Sequence, residues 1–274
     1  MHYRALAFDL DGTLLLPDER VSERNLAAVT RARLAGLQII VATARWFALA
    51  NDAVAQLNTA GALAGLEPIT GPAVACSGAL VRRLGDGVDL LDLRLPAEFV
   101  AELYARCDAM RCLAWARVDD DVLVKKDGPK IDLPHGMRRV PSLAASADRA
   151  AQMVLVQGGD ACQSLEDSLG PVWGERVRFV ESFSSSGKRI LTLTATGADK
   201  GVALGVACAE IGIDPRDVVA FGDAENDLEM FAIAGRSFAM GQAGPSVRAA
   251  ATDVTASNLD DGVAVAIEAL LLER

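Results

Sequence analysis

Residues 3 to 13 read Tyr3-Arg4-Ala5-Leu6-Ala7-Phe8-Asp9-Leu10-Asp11-Gly12-Thr13. The run from Tyr3 to Leu10 is short and largely apolar, with its carboxylates at the far end. That is the pattern of a buried parallel strand whose carboxyl end opens into a loop, here Asp11-Gly12-Thr13. Beyond it, Ser22 stands as the N-cap of a helix whose face carries Leu26, Val29, Arg33 and Leu34, and Gly36 falls where a left-handed cap is expected. A second apolar strand, Leu37 to Ala42, ends in Thr43-Ala44-Arg45. A helix from about Trp46 to Leu57 and a third strand, Ala73 to Cys76, lead to Ser77-Gly78. This β-α-β-α-β alternation predicts right-handed crossovers and a parallel sheet with helices on both faces.

From about Leu80 the texture changes. Shorter alternating segments (Val88 to Leu93, Cys112 to Val118, Val122 to Lys125, Val177 to Phe183) surround two predicted helices, Ala97 to Ala109 and Asp160 to Leu169. The βα rhythm resumes with Ile190 to Thr194, a helix from Lys200 to Ile211, the strand Val218 to Phe221, and helices from Glu225 to Ala234 and Gly262 to Leu271. The fold class is therefore α/β: a Rossmann-like parallel-sheet core, residues 1–79 and 187–274, interrupted by an α+β domain at residues 80–186.

Composition narrows the function. With 274 residues the chain can bury a core and a companion domain without disulfides or structural metals. A formal charge of -10 argues against general binding of nucleic acid or anionic membrane, which needs a basic face. Five cysteines (Cys76, Cys107, Cys112, Cys162, Cys208) stand in apolar contexts with no C-x-x-C pair, and read as free thiols of a reducing compartment. No apolar run is long enough to span a bilayer, so a soluble, cytoplasmic protein, monomer or small homo-oligomer, is expected.

In an open parallel sheet, ligands bind outside the carboxyl ends of the strands, and four polar clusters fall at strand or helix ends. The first is Asp9-Leu10-Asp11-Gly12-Thr13. Two carboxylates spaced i, i+2 suit covalent phosphoryl transfer, Asp9 as nucleophile and Asp11 as proton donor and acceptor. Taken alone, Asp-Gly-Thr also reads, with less weight, as a turn closing a strand. The second is Thr43, whose hydroxyl and following amides suit a phosphate oxygen as well as a helix cap. The third is Lys200, a cation at the positive end of a helix dipole, which points to service of a nearby anion or to a solvated surface position. The fourth is Gly222-Asp223-Ala224-Glu225-Asn226-Asp227, whose Asp223 and Asp227 either gather around a hard cation, for which Mg2+ is the natural choice, or decorate a helix start.

Taken together and in this order, the four clusters resemble the signature of the haloacid dehalogenase-like (HAD) superfamily: a D-x-D-G-T loop, a Thr after the second strand, a Lys and a G-D-x-x-N-D loop. The insert lies where the Cof-type branch, subfamily IIB, carries its α/β cap, and the tail, Ala239-Met240-Gly241-Gln242-Ala243 and Ala251 to Gly262, is similar too. The resemblance implies a Mg2+-dependent phosphatase of small phosphate esters. It makes Asp9 the nucleophile and metal ligand, and Asp11 the general acid/base and a ligand through its backbone. Asp223 becomes a direct ligand and Asp227 a supporting one. A phosphate would be held by Gly12, Thr13, Thr43, Ala44, Arg45, Ser77, Gly78, Lys200 and Asn226. The cap is expected to close over the carboxyl ends of the core strands.

The chain departs from the branch at Ala44, where Gly is usual, at Trp46, where Pro is common, and at Ser77, where Asn is usual. The alternatives are a phosphosugar mutase and a catalytically idle binding protein. Dehalogenation has no alkoxide to protonate and leaves Asp11 without a task. Within the insert, Arg111, Trp115, Arg117, Lys125, Lys126 and Lys130 are candidate substrate contacts or solvated surface, and His2 and His135 lack partners at metal spacing.

Overall fold

Every residue of Ala5–Phe8 (β1) is buried, which suits a strand with both faces covered. The computed structural model describes residues 3–126, 133, 136–183 and 187–273; His2, Lys130 and His135, weighed above, lie outside them. The chain divides into two compact units, Met1–Leu91 with Asp199–Arg274, and Asp92–Ala198.

The first unit begins with β1, α1 (Glu23–Leu34), β2 (Gln38–Ala42), α2 (Phe47–Leu63), β3 (Pro72–Ala75), β4 (Leu80–Arg83) and β5 (Asp89–Asp92). The second contains α3 (Ala97–Ala109), β6 (Leu113–Val118), β7 (Asp121–Lys126), β8 (Met137–Arg139), β9 (Ala151–Gln157), α4 (Gly159–Trp173), β10 (Val177–Phe183) and β11 (Arg189–Ala195). The chain then returns to the first unit through α5 (Lys200–Glu210), β12 (Val218–Gly222), α6 (Leu228–Ile233), β13 (Arg236–Ala239), α7 (Pro245–Ala250), β14 (Asp253–Val254) and α8 (Gly262–Leu272).

The core sheet runs in the order β14-β13-β12-β1-β2-β3-β4-β5. Every pairing from β14 to β3 is parallel, and β4 turns back antiparallel on β3. On one face Leu6, Phe8, Val219 and Phe221 pack with α1, α2 and α8; on the other, Ala5, Ala7, Val218 and Ala220 pack with α5 and α6. Strand order reverses between β1 and β12, the switch point at which the carboxyl ends of an open sheet leave a crevice.

The second unit is a six-stranded sheet, β10-β11-β9-β6-β7-β8, antiparallel except for β7 with β8. Its apolar core joins one sheet face to α3 and α4. Lys125, a candidate contact from sequence, is buried here, and its ammonium donates to the Met110 carbonyl at 2.8 Å, where it caps the end of α3. Arg117 is likewise buried and pairs with Asp120 at 3.0 Å.

Three strands fall on the other side of the sequence-based division, the first being β4 (Leu80–Arg83), which pairs with β3 in the core sheet. Asp89–Asp92, expected in the insert, extends the core sheet as its edge. Arg189–Ala195, expected to resume the core, pairs with β10 and β9 in the cap sheet. Its alternation explains this: Leu191 and Leu193 face the cap core while Ile190 and Thr192 are only half-buried. The units accordingly meet at 91/92 and 198/199 rather than at 79/80 and 186/187.

One close approach fixes where α5 begins. Gly78 has φ +92°, and a Cβ there would lie 2.3 Å from the carbonyl oxygen of Asp199, the N-cap of α5. Gly78→Ala is expected to cost about 2 kcal/mol or more, because it combines a left-handed backbone with a backbone collision. Urea unfolding measures it, and an unchanged midpoint refutes the tight approach.

Candidate active site

Asp9 follows β1, and its amide donates to the Phe221 carbonyl at 2.9 Å, so the loops after β1 and β12 leave the sheet together. After β12 the chain turns through Asp223 and a short 3-10 segment, Glu225–Asp227. One oxygen of Asp227 accepts the amides of Asp223 and Ala224 at 2.9 and 3.1 Å and so shapes this loop from within. Its other oxygen accepts from the Lys200 ammonium at 2.6 Å, and the same ammonium donates to Asp9 Oδ1 at 2.6 Å.

Lys200 is 1% exposed at the first position of α5. The dipole mismatch noted in the sequence has its answer: the cation serves two buried carboxylates, while Asp199 caps the helix by accepting the Val202 amide at 2.7 Å. Burial alone would lower the Lys200 pKa, yet Asp227 and Asp9 hold it above its ordinary value.

Carboxylate oxygens of Asp9, Asp223 and Asp227 lie within 4.8 Å of one another. Burial pushes the Asp9 carboxyl well above its ordinary value; Lys200 pulls it back, and Asp227 and Asp223 add to the rise. Asp223 is pushed up to about 6, by burial and then by Asp227. Ionising all three carboxylates against one ammonium leaves two negative charges uncompensated, and the raised Asp9 and Asp223 values register that cost. A hard divalent cation with oxygen ligands fits that deficit in both charge and chemistry.

The neighbouring loops close around this group. Gly12 has φ +73°, and a Cβ there would sit 2.2 Å from Asp223 Oδ2, so only glycine fits. The buried Thr13 hydroxyl donates to Asp223 Oδ1 at 3.3 Å. Gln242 donates to the Gly12 carbonyl at 2.5 Å and accepts the Asn258 amide at 3.2 Å. The Thr43 hydroxyl, also buried, accepts the Arg45 amide at 3.1 Å, and Ser77 donates its amide to the Thr43 carbonyl at 3.2 Å. Cys76 and Ser77 are both left-handed, with φ +53° and +55°. That is a region asparagine tolerates better than serine, which gives the usual Asn at position 77 a physical reason. Asn226 points a buried amide oxygen at no hydrogen-bond partner.

Two expected residues stand apart from the acidic group. Asp11 is bound by Arg45, Nε to Oδ2 at 2.7 Å and Nη2 to Oδ1 at 2.6 Å. The remaining Arg45 nitrogen, Nη1, pairs with Glu19 at 3.0 Å. Glu19 and Gln242 went unassigned in the sequence; Gln242 lies inside the quoted tail motif, whereas nothing local marks Glu19.

A family profile described as haloacid dehalogenase-like hydrolase matches residues 6–267. An HMP-PP phosphatase of Escherichia coli (strain 55989 / EAEC) is 32% identical over 255 residues, covering 90% of this chain and 87% of that protein. An endoribonuclease YBEY, chloroplastic, of Arabidopsis thaliana is 29% identical over 273 residues, 94% of this chain and 45% of that protein, so the chain spans less than half its length. Among solved structures, an HAD subclass IIB sugar phosphatase aligns with a TM-score of 0.77 at 21% identity, covering 97% of this chain and 98% of that one. At that identity the likeness concerns the fold, a parallel core sheet with a separate cap sheet.

Because the folded state raises the Asp223 pKa from 3.8 to about 6, this group's contribution to stability declines as the pH rises between those values and is least above about 6. Asp223→Asn removes the penalty: in EDTA at pH 7.5 its Tm is expected about 3 °C above the parent's, and the rise that a divalent cation produces in the parent disappears. A lower Tm in EDTA contradicts the crowding. Lys200→Met strands Asp9 and Asp227 and is expected to cost about 3 kcal/mol at pH 7. Protonation relieves the stranded carboxylates, so the deficit narrows at pH 5; urea titrations at both pH values check the sign.

Proposed function

The chain belongs to the haloacid dehalogenase-like hydrolase family, and from that premise we propose that it is a magnesium-dependent phosphatase. Its substrates are small phosphorylated metabolites, sugar phosphates or related phosphomonoesters, and its intermediate is an aspartyl phosphate on Asp9. The observation that carries this reading is the Lys200 ammonium, shared between Asp9 and Asp227 at 2.6 Å each with Asp223 alongside.

Asp9, Asp223 and the Asp11 backbone carbonyl would hold the magnesium ion, with Asp227 in support. When bound, the ion neutralises the carboxylates and draws charge from the phosphoryl oxygens. Lys200 holds one oxygen of Asp9 and so leaves the other free to attack. Thr43, the amides after it, Ser77, Gly78 and Asn226 line the phosphate side; the orphaned Asn226 oxygen has capacity for a hydroxyl or water there.

In the first step an Asp9 oxygen forms a bond to phosphorus, the ester P–O bond breaks, and the Asp11 proton passes to the departing alkoxide. In the second step the Asp11 carboxylate takes a proton from water, whose oxygen bonds to phosphorus. The acyl-phosphate P–O bond breaks, which releases inorganic phosphate and restores Asp9. The environments divide the labour: Asp9 is 5% exposed among charges, whereas the Asp11 side chain is 60% exposed, where protons come and go.

Phosphate release from a panel of sugar phosphates, nucleotides and cofactor phosphates identifies the substrate. On the best of them, Asp9→Asn is expected to lose about a thousandfold or more in kcat/KM, and EDTA to abolish activity that Mg2+ restores. Parent-like activity of Asp9→Asn, or of the parent in EDTA, sinks the reading.

A further inference from the structure

Asp11 is exposed on a loop, and its orientation is set from outside the acidic group. We propose that Glu19 is a positioning residue for the proton-transfer step, acting on Asp11 through Arg45. The inference rests on the reading of Asp11 as the group that protonates the leaving alkoxide.

The Arg45 guanidinium meets both oxygens of Asp11 along one edge, at 2.7 and 2.6 Å. Such a fork fixes the plane of the carboxylate as well as its distance. An arginine on a flexible stem holds a plane only if its own rotation is stopped. The backbone of Arg45 is pinned on both sides, its amide to the Thr43 hydroxyl at 3.1 Å and its carbonyl by the Cys76 amide at 2.8 Å. At the far end, Nη1 pairs with Glu19 Oε1 at 3.0 Å. The arginine side chain is only 16% exposed, between carboxylates that are 60% and 64% exposed.

Glu19 itself is held with more care than a surface residue needs. Its φ is +64°, a left-handed conformation that costs a residue with a Cβ about 1–2 kcal/mol. Hydrogen bonds from the Glu19 amide to the Leu16 carbonyl, 2.9 Å, and from the Leu16 amide to the Arg20 carbonyl, 2.8 Å, close the turn. Gln56 on α2 then grips it twice, donating to the Glu19 carbonyl at 3.2 Å and accepting the Val21 amide at 2.9 Å. The adjacent cation, Arg20, is committed to Asp18 at 2.7 Å, which leaves the Glu19 carboxylate to Arg45. The line of contacts runs from a helix through a strained turn to the one carboxylate that must face both an alkoxide and a water.

The test uses the dependence on leaving group. Phenolate needs a proton more than p-nitrophenolate does, and kcat/KM covers steps only through ester cleavage. Glu19→Gln is expected to lose about fivefold more in kcat/KM on phenyl phosphate than on p-nitrophenyl phosphate, the scale of one exposed ion pair. Asp11→Asn, run alongside, should show the same bias more strongly. Equal losses on both esters, or no loss, in Glu19→Gln while Asp11→Asn stays biased overturns the role of Glu19. No bias in Asp11→Asn overturns instead the acid reading on which it rests.

Discussion

The site depends on one ammonium group placed where water does not reach. Lys200 is 1% exposed and sits 2.6 Å from both Asp9 and Asp227. A buried charge of this kind is tolerable only when paired, and a pair is tolerable only when its members are fixed. Each of the three is fixed by a different element: Asp9 by the end of β1, Asp227 by the turn whose amides it accepts, Lys200 by the first position of α5. The crossing of these elements at the switch point of the sheet is what lets Lys200, 191 residues beyond Asp9 in sequence, donate to it and to Asp227 at once. Lys200 still leaves the acidic group short of positive charge, and that shortage suits the site to a cation.

Close backbone approaches serve the same end. Gly12 has no side chain because Asp223 occupies the space, and Gly78 has none because the start of α5 does. Three successive left-handed residues, Cys76, Ser77 and Gly78, bring the loop after β3 against the loop after β2. Strain of this sort persists only where surrounding contacts over-determine it. Here the Cys76 amide to Arg45 and the Ser77 amide to Thr43 do so.

Much of this was legible in the sequence, for identifiable reasons. Parallel strands covered on both faces lack alternation, so β1, β2 and β12 stood out as apolar runs, and the polar residues just beyond them, Asp9, Thr43 and Asp223, could be read as facing the crevice. Lys200 was legible as an electrostatic misfit. The division between units was not: β4 and β5 at the core's edge and β11 in the cap carry half-buried patterns that look alike whichever sheet they join. The cap strand Ala151–Gln157 lies between β11 and β6 but has no period to mark it, since its residues are mostly apolar and nearly all buried, although Gly158-Gly159 signals its end. Glu19 and Gln242 were invisible as site residues because exposed polar side chains earn meaning only from distant partners, Arg45 for one and Gly12 for the other.

Asp9 and Asp11 show how two identical side chains, two residues apart, come to differ. The strand ends at Phe8 and Leu10 is buried within a turn, so the extended geometry that would align the two carboxylates stops between them. Asp9 remains at the floor, where burial penalises its charge and Lys200 offsets part of that penalty. Asp11 comes out at the rim, where a guanidinium fixes its direction and solvent remains in reach. A nucleophile needs a fixed, ionised oxygen, and a proton carrier needs exchange with its surroundings. In the proposed mechanism the turn at Leu10 supplies both from one short loop, and it is the burial of Leu10 in the apolar core, a packing fact with no chemistry of its own, that separates the two side chains.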